Sequence, residues 1–310
     1  MKRVRTSKTR KRNPKKSRFD YWEKIDFIRS HSHLYPVALC LHLLEVPKAS
    51  YYRLIKRKVI ETKQARVADL IVKVFNENDD NYGSRRIKKV LLQEYDCVVS
   101  RRLIRRVMKE KGLFSTYQVR YFRNHNKKDN VNREDVGNVV DREFNNREYK
   151  EVLVSDLTYI WVAGKWQYVC FITDLFNREI LGYSFGPKKD AALVYKAFMS
   201  IGTSLQNITY FHTDRGSEFK NKEIDGLLKT FGIKRSLSNA GVPYDNACAE
   251  SLYNKAKIEF FDRHEFKTAK ELELKLFEYV HWYNHKRLHS SLDYMSPVAY
   301  KKKYLENCLH

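Results

Sequence analysis

A chain of 310 residues has room for about two domains, and a hydrophobic content of 43% is enough to build cores, which excludes a disordered basic tail. Lys and Arg number 60 against 37 Asp and Glu, and the resulting formal charge of +23 favours a polyanionic partner, nucleic acid first. Five cysteines without a C-x-x-C pair argue against a disulfide framework or a cysteine-rich zinc site, and no apolar run follows the basic start, so a reduced, cytoplasmic protein with no membrane partner is expected.

In chain order, residues 1–18 form a basic arm without an acid, which would repel itself until phosphates neutralise it. Residues 19–114 read as an all-α, helix-turn-helix-type DNA-binding region. Trp22, Ile25 and Ile28 mark a first helix and 37–44 a second, and Pro47 breaks the pattern before 51–58, where Arg53 and Lys56 are suited to face phosphate. Val67, Leu70, Ile71 and Val74 mark another helix, Ile87, Val90 and Leu91 the next after Tyr82-Gly83, and Leu103, Ile104, Val107 and Met108 a last one, capped by Ser100 and ended by Gly112. Arg85, Arg86, Arg101 and Arg102 lie on these last two helices with few acids between them, which favours a nucleic-acid surface over an ordinary solvated face. Residues 115–148 are polar and lack periodic apolar positions, as an interdomain linker would.

From 149 to 305 the pattern changes to α/β. Residues 151–161 and 166–176 should pair as a hairpin around Ala163-Gly164-Lys165, with 179–185 as a third strand. A helix at 191–199, a strand at 208–212, a helix at 222–231 and a short strand at 233–237 come next, and two helices at 247–261 and 269–284 complete a mixed five-stranded sheet with its covering layers.

Three acids stand out against this background. Asp156 interrupts an apolar strand, where an unpartnered carboxylate would be costly to bury. Asp214 follows a strand and opens the turn Asp214-Arg215-Gly216, at the kind of strand end where open α/β sheets collect functional groups. Glu250 lies in the first turn of a helix and shares a face with Asn254 and Lys257. Each has an ordinary reading too: an edge-strand acid, a turn acid and a dipole-favoured helix acid. Asp174 reads as a turn-entry residue and Glu218 as a polar loop acid. The four-residue spacing of His281, His285 and His289 lacks the acids or cysteines of a metal site.

Taken together, Asp156-Leu157-Thr158-Tyr159-Ile160, His212-Thr213-Asp214-Arg215-Gly216-Ser217 and Asp245-Asn246-Ala247-Cys248-Ala249-Glu250-Ser251, followed by Lys257, closely resemble the DDE catalytic core of the insertion sequence three family of bacterial transposases, related to retroviral integrases. Tyr82-Gly83-Ser84-Arg85-Arg86-Ile87 and the tail Tyr283-Asn284, Arg287, His289, Leu292 and Ser296-Pro297 are similar to other stretches of that family. The resemblance implies an RNase H-like core with the two aspartates on adjacent strands and the glutamate on a helix. It makes Asp156, Asp214 and Glu250 the catalytic and metal-holding acids, and Lys257, with Asn254 beside it, a contact to terminal DNA.

The activity it implies is metal-dependent cleavage of transposon ends and their joining to target DNA. Oxygen ligands suit Mg2+, with Mn2+ able to substitute. A homo-oligomer assembled on DNA in the bacterial nucleoid is expected. In the family a separate upstream reading frame supplies a further helix-turn-helix product, a possible partner here. The rivals are a catalytically silent DNA-binding regulator and a structure-selective nuclease of the same fold.

Overall fold

The computed structural model describes residues 20–118, 140, 147–239 and 246–308. The basic arm at 1–18, most of the expected linker and residues 240–245 of the Gly-Pro loop lie outside the described residues. Two compact units divide between Leu70 and Ile71.

In the first unit, helix α1 (Tyr21–Ser30) opens on a capping box: Asp20 caps the first turn while its own amide donates to the Glu23 carboxylate at 2.8 Å. Helix α2 (Val37–Leu43) ends at a turn in which Glu45 takes φ 55, and α3 (Lys48–Glu77) starts directly after Pro47. Ile25, Ile28, Cys40, Leu41, Val46 and Tyr51 form the core of this helix-turn-helix. The segments expected as separate helices at 51–58 and around 67–74 are one 30-residue helix, because 59–66 contain neither Gly nor Pro to interrupt it.

The second unit begins within α3 and continues through α4 (Ser84–Tyr95) and α5 (Arg101–Glu110). Ser100 caps α5 by accepting from the Leu103 amide at 3.2 Å, and Gly112, at φ +67, ends it while the Leu113 amide donates to the Met108 carbonyl. The opening of the expected linker belongs to the fold instead. Ser115 is buried, the Thr116 hydroxyl donates to Asn81 Oδ1 at 2.9 Å, and the Tyr117 hydroxyl donates to Glu259.

Strands β1 (Val152–Val162), β2 (Lys165–Asp174), β3 (Ile180–Gly186), β4 (Tyr210–Thr213) and β5 (Lys234–Leu237) form one sheet in the order β3-β2-β1-β4-β5. The first three are an antiparallel meander, and β4 and β5 run parallel to β1. Ala163 and Gly164, at φ +47 and +77, make the two-residue turn whose twist suits the β1–β2 hairpin.

Side chains alternate between faces, so Leu153, Cys170, Ile172 and Phe211 pack with α6 (Ala191–Met199) and α7 (Lys222–Thr230), while Ile160, Val169 and Phe171 pack with α8 (Ala247–Glu259) and α9 (Ala269–His285). This mixed five-stranded sheet with helices on both faces is the RNase H-like arrangement. Gly182 is required where β3 meets α6, since a Cβ there would stand 2.3 Å from the Ala197 carbonyl oxygen. A final helix, α10 (Pro297–Cys308), goes beyond the elements expected from the sequence; Ser296 Oγ accepts from the Ala299 amide ahead of it, and Pro297 occupies its first position.

A buried polar cluster ties the helices of this unit to the sheet layers. Glu259 and Arg287 are both fully buried and bond through Nε at 2.7 Å and Nη2 at 2.6 Å. The Tyr82 hydroxyl accepts from the Leu288 amide at 2.9 Å and donates to the Lys286 carbonyl, and the Asn284 amide closes both backbone groups of Ile180 at 2.9 Å. The tail motif Tyr283-Asn284 with Arg287 therefore has a structural use in this chain.

Candidate active site

The parallel pairing of β1 with β4 runs from Val152↔Tyr210 to Val154↔His212. Two residues beyond the last pair on each strand stand Asp156 and Asp214, at matching register positions, so the pleat sends both side chains to the same face as Val154 and His212. That face carries α8, since Val154 packs with Ala249. Asp156 Oδ1 accepts from the Leu157 amide at 2.7 Å, and Asp214 Oδ1 accepts from the Gly216 amide at 3.0 Å, an Asx turn that fixes the carboxylate at the strand end.

Glu250 is held by the helix it sits on. Tyr253, three residues along α8, is buried; its hydroxyl accepts from the Phe171 amide at 2.7 Å and donates to the Asp156 carbonyl. Asp156 and Phe171 are partners across β1 and β2, so one phenol bridges the strand pair at the acid itself and fixes α8 over it. Nothing in the sequence singles out Tyr253, because an aromatic at helical spacing reads as core.

The electrostatics are those of crowded carboxylates. Burial first, then the charge of Asp214 and that of Glu250, push the Asp156 carboxyl up to about 7, against the Leu157 amide and the charge of Lys189. Burial also raises Asp214, opposed by the Gly216 amide and Lys189 and reinforced by Glu218. Glu218 is not a solvated loop acid: it is 3% exposed and bonds Lys189 at 2.9 Å. A Cβ on Gly216 would lie 2.3 Å from Glu218 Oε1, so this glycine makes room for the carboxylate. Burial pulls the Lys189 pKa down, but the bond to Glu218 and the charges of Glu218, Asp214 and Asp156 outweigh it and hold the ammonium above the usual lysine value. Lys189 has no sequence signature, since Lys188-Lys189-Asp190 reads as a solvated helix entry.

Among the described residues no three acid, imidazole or thiol groups stand together tightly enough to grip a metal ion as they are. The donor set nevertheless fits a hard divalent cation. It is all oxygen, and burial first, then the neighbouring carboxylates, already disfavour the ionised form of Asp156.

The candidate DNA contacts separate. Arg53, Lys56, Arg85, Arg101, Arg102 and Asn254 are exposed, and Lys257 is half-buried with its ammonium 5.9 Å from the Tyr159 ring centre. Arg101, Arg102, Arg105, Arg106 and Lys109 line a surface hollow of about 910 Å³ along α5. Arg86 turns inward instead: its guanidinium lies over the Tyr82 and Tyr117 rings and 3.9 Å from Glu259. Asp174 accepts from the Phe176 and Lys150 amides as a fully buried strand-end acid. His281 and His285 stack on α9, whereas His289 is buried beside Arg287.

Known proteins match most of this chain. Two integrase core domain models match residues 146–243 and 231–297, and an HTH-like domain model matches 62–121. The putative transposase InsK of insertion sequence element IS150 from Escherichia coli K12 is 28% identical over 87% of this chain and 94% of its own length. The transposase of IS904 from Lactococcus lactis is 30% identical over 76% of this chain and 93% of its own. A 31 kDa protein of insertion element IS600 from Shigella sonnei is 30% identical over 84% and 96%.

Among solved structures, the HTLV-2 integrase catalytic core in complex with magnesium aligns at 17% identity over 48% of this chain and 92% of that one, with a TM-score of 0.34. The Mos1 mariner transposase catalytic domain aligns at 14% over 42% and 70%, with a TM-score of 0.36. The sheet order and the matched domains carry the assignment without them. With an integrase core on the acid-bearing sheet, an HTH-like domain ahead of it and relatives 30% identical over nearly their whole length, the chain belongs to the insertion sequence three family of DDE transposases.

Proposed function

We propose that Asp156, Asp214 and Glu250 are the catalytic acids of this transposase, acting in cleavage of transposon ends and in joining those ends to target DNA. The observation that carries the reading is the matching position of Asp156 and Asp214 past the β1–β4 pairing, with the helix of Glu250 bonded to β1 beside them. In both reactions an oxygen nucleophile, water for cleavage or a DNA 3′-hydroxyl for joining, forms a bond to phosphorus as the opposite phosphoester oxygen departs. One set of acids serves both because only the nucleophile changes. Asp156, Asp214 and Glu250 would hold divalent cations, Mg2+ or Mn2+ in its place, which when bound would supply Lewis-acid activation of the attacking oxygen and charge neutralisation at the leaving one.

The chain's own residues do the rest. Tyr253 keeps α8 against β1, the Asx turn at Gly216 aims Asp214, and Lys189 neutralises part of the acidic cluster. Lys257 and Asn254 on α8 contact the DNA end, and Arg53 and Lys56 on one unit and Arg85, Arg101 and Arg102 on the other bind backbone phosphates, contacts that set register more than sequence choice. Arg86 supports this surface through the tyrosines beneath it. A homo-oligomer on the DNA, with the upstream-frame helix-turn-helix product as a further partner, is the assembly this reading implies, in the nucleoid of a bacterial cell.

Strand transfer with labelled element ends in Mg2+ is the test. Asp156→Asn, Asp214→Asn and Glu250→Gln should each lower joining by about 100-fold or more while leaving DNA binding in place. Full joining by any of the three removes that residue from the site. Binding without cleavage by the unaltered chain, under any divalent metal, would mark a regulator, and hydrolysis without joining a nuclease.

A further inference from the structure

The hairpin that carries Asp156 exposes three large aromatic side chains at its far end. Tyr159, Trp161 and Trp166 are 61%, 54% and 50% exposed. They are packed edge-to-face, with ring centres 5.1 Å apart for Tyr159 and Trp166 and 4.8 Å for Trp161 and Trp166. All three border a groove of about 690 Å³, shared with Lys257, Phe266 and Lys267. Isolated surface aromatics need no explanation, but three joined through Trp166 leave apolar ring faces in water that a partner would cover.

Position and charge select the partner. Tyr159 lies three residues from Asp156 on the same strand, about 10 Å away at the rise of an extended chain, or about three stacked nucleotides of one DNA strand. Tyr159 and Trp161 project from the face opposite Asp156. Beyond Val154, however, β1 has no strand on its β4 side among the described residues, until Val162 meets Phe266. Lys257 comes round this open edge from α8 to the Tyr159 ring, and Lys165 stands beside Trp166 at the hairpin turn. Asp262 and Glu265 offset Lys257 and Lys267 within the groove, so net charge is not its distinguishing chemistry. Aromatic faces flanked by cations are how proteins hold unpaired nucleotides.

We propose that Tyr159, Trp161 and Trp166 form a stacking platform for unpaired bases of the DNA strand that leaves the acid cluster along the open edge of β1. The proposal rests on the DNA-end reading of the acids and adds that the bound end is partly unpaired. Bases a few nucleotides from the reacting phosphate lie against the rings, with Lys257 on the phosphate between.

The test uses the full chain in a Trp22→Phe background, which leaves Trp161, Trp166 and Trp282 as fluorophores. A short single-stranded oligonucleotide should quench tryptophan emission, and Trp166→Ala and Tyr159→Ala should each weaken its binding about 10-fold. Trp166→Phe should retain most of the affinity, and unchanged melting temperatures would show the variants folded. Affinity for a blunt duplex of the same sequence should be unaltered, and abasic positions in the single strand should reproduce the loss.

Equal losses for duplex and single strand, or no loss for either, overturn the platform while leaving the acid assignment intact. Quenching that follows protein concentration without DNA also overturns it, since a second copy would then cover the rings. Failure to bind DNA of any kind would instead remove the underlying reading.

Discussion

Lys255 carries its ammonium into a half-buried place on α8. Burial first, then the charges of Arg287, Arg178 and Arg86, opposed by Glu259, bring its pKa down to about 8. An unfolded lysine keeps its proton to about 10.4. Below pH 8 both states are protonated and the fold bears the whole penalty. Between 8 and about 10.4 the unfolded chain holds more protons, so this group's destabilisation fades as pH rises. Lys255→Met should therefore stabilise the protein at pH 7 by on the order of 1 kcal/mol once solvent screening is allowed for, and thermal melts should show the gain shrinking from pH 8 upward. A gain independent of pH would trace to packing instead. At this scale, Asp156 and Asp214 are legible because each breaks a local pattern, a carboxylate in an apolar strand and one at a strand end. Lys189 is not, because its partner Glu218 lies far along the chain and only folding brings them together.

Among the elements, α8 does most to arrange the site, and beyond its apolar packing on the sheet one hydroxyl bonds it to the backbone of β1 and β2 beside Asp156. Tyr253→Phe keeps the ring in its core but leaves the buried Phe171 amide and the Asp156 carbonyl without that partner. The expected cost is about 1–3 kcal/mol in a denaturation curve. Single-turnover joining should slow about 10-fold with DNA affinity unchanged, since Glu250 would lose its fixed seat over β1. An unaltered rate would reduce Tyr253 to a core residue. The strands and most helices are readable from alternation, spacing and caps. The fusion of two expected helices into α3 is not, because periodicity marks apolar faces and says little about a polar stretch that has no helix breaker. Helix α10 escapes a reading by pattern because its exposed Tyr304 and Leu305 blur any apolar stripe, although Ser296-Pro297 is a legible start.

Within the larger unit, the helices α4 and α5 and the segment at 115–117 are parts of the catalytic fold. Tyr82 satisfies the Leu288 amide and the Lys286 carbonyl, and Tyr117 adds a further hydrogen-bond partner to the Arg287–Glu259 pair. A fragment of residues 149–308 should consequently be far less stable than one of 71–308, by about 3–5 kcal/mol if the buried ion pair is left poorly supported. Comparing their urea midpoints checks this, and equal midpoints would mean that the cluster adds nothing to the fold. Composition alone puts a boundary at 115–148, because the polar stretch there resembles a linker. Long-range hydrogen bonds from single side chains such as Tyr117 leave no mark on composition. Among the described residues no helix is long and apolar enough to cross a membrane.

The pocket that Gly216 leaves for the Glu218 carboxylate implies a constraint on how this chain can diverge. A side chain at 216 would press on the Glu218 carboxylate, so a substitution there requires that acid to swing out of its buried place or to give way to a shorter residue, and either change takes from Lys189 its anion. Positions 189, 216 and 218 therefore form one inherited unit, and a descendant that alters one should carry the record of the change in the other two.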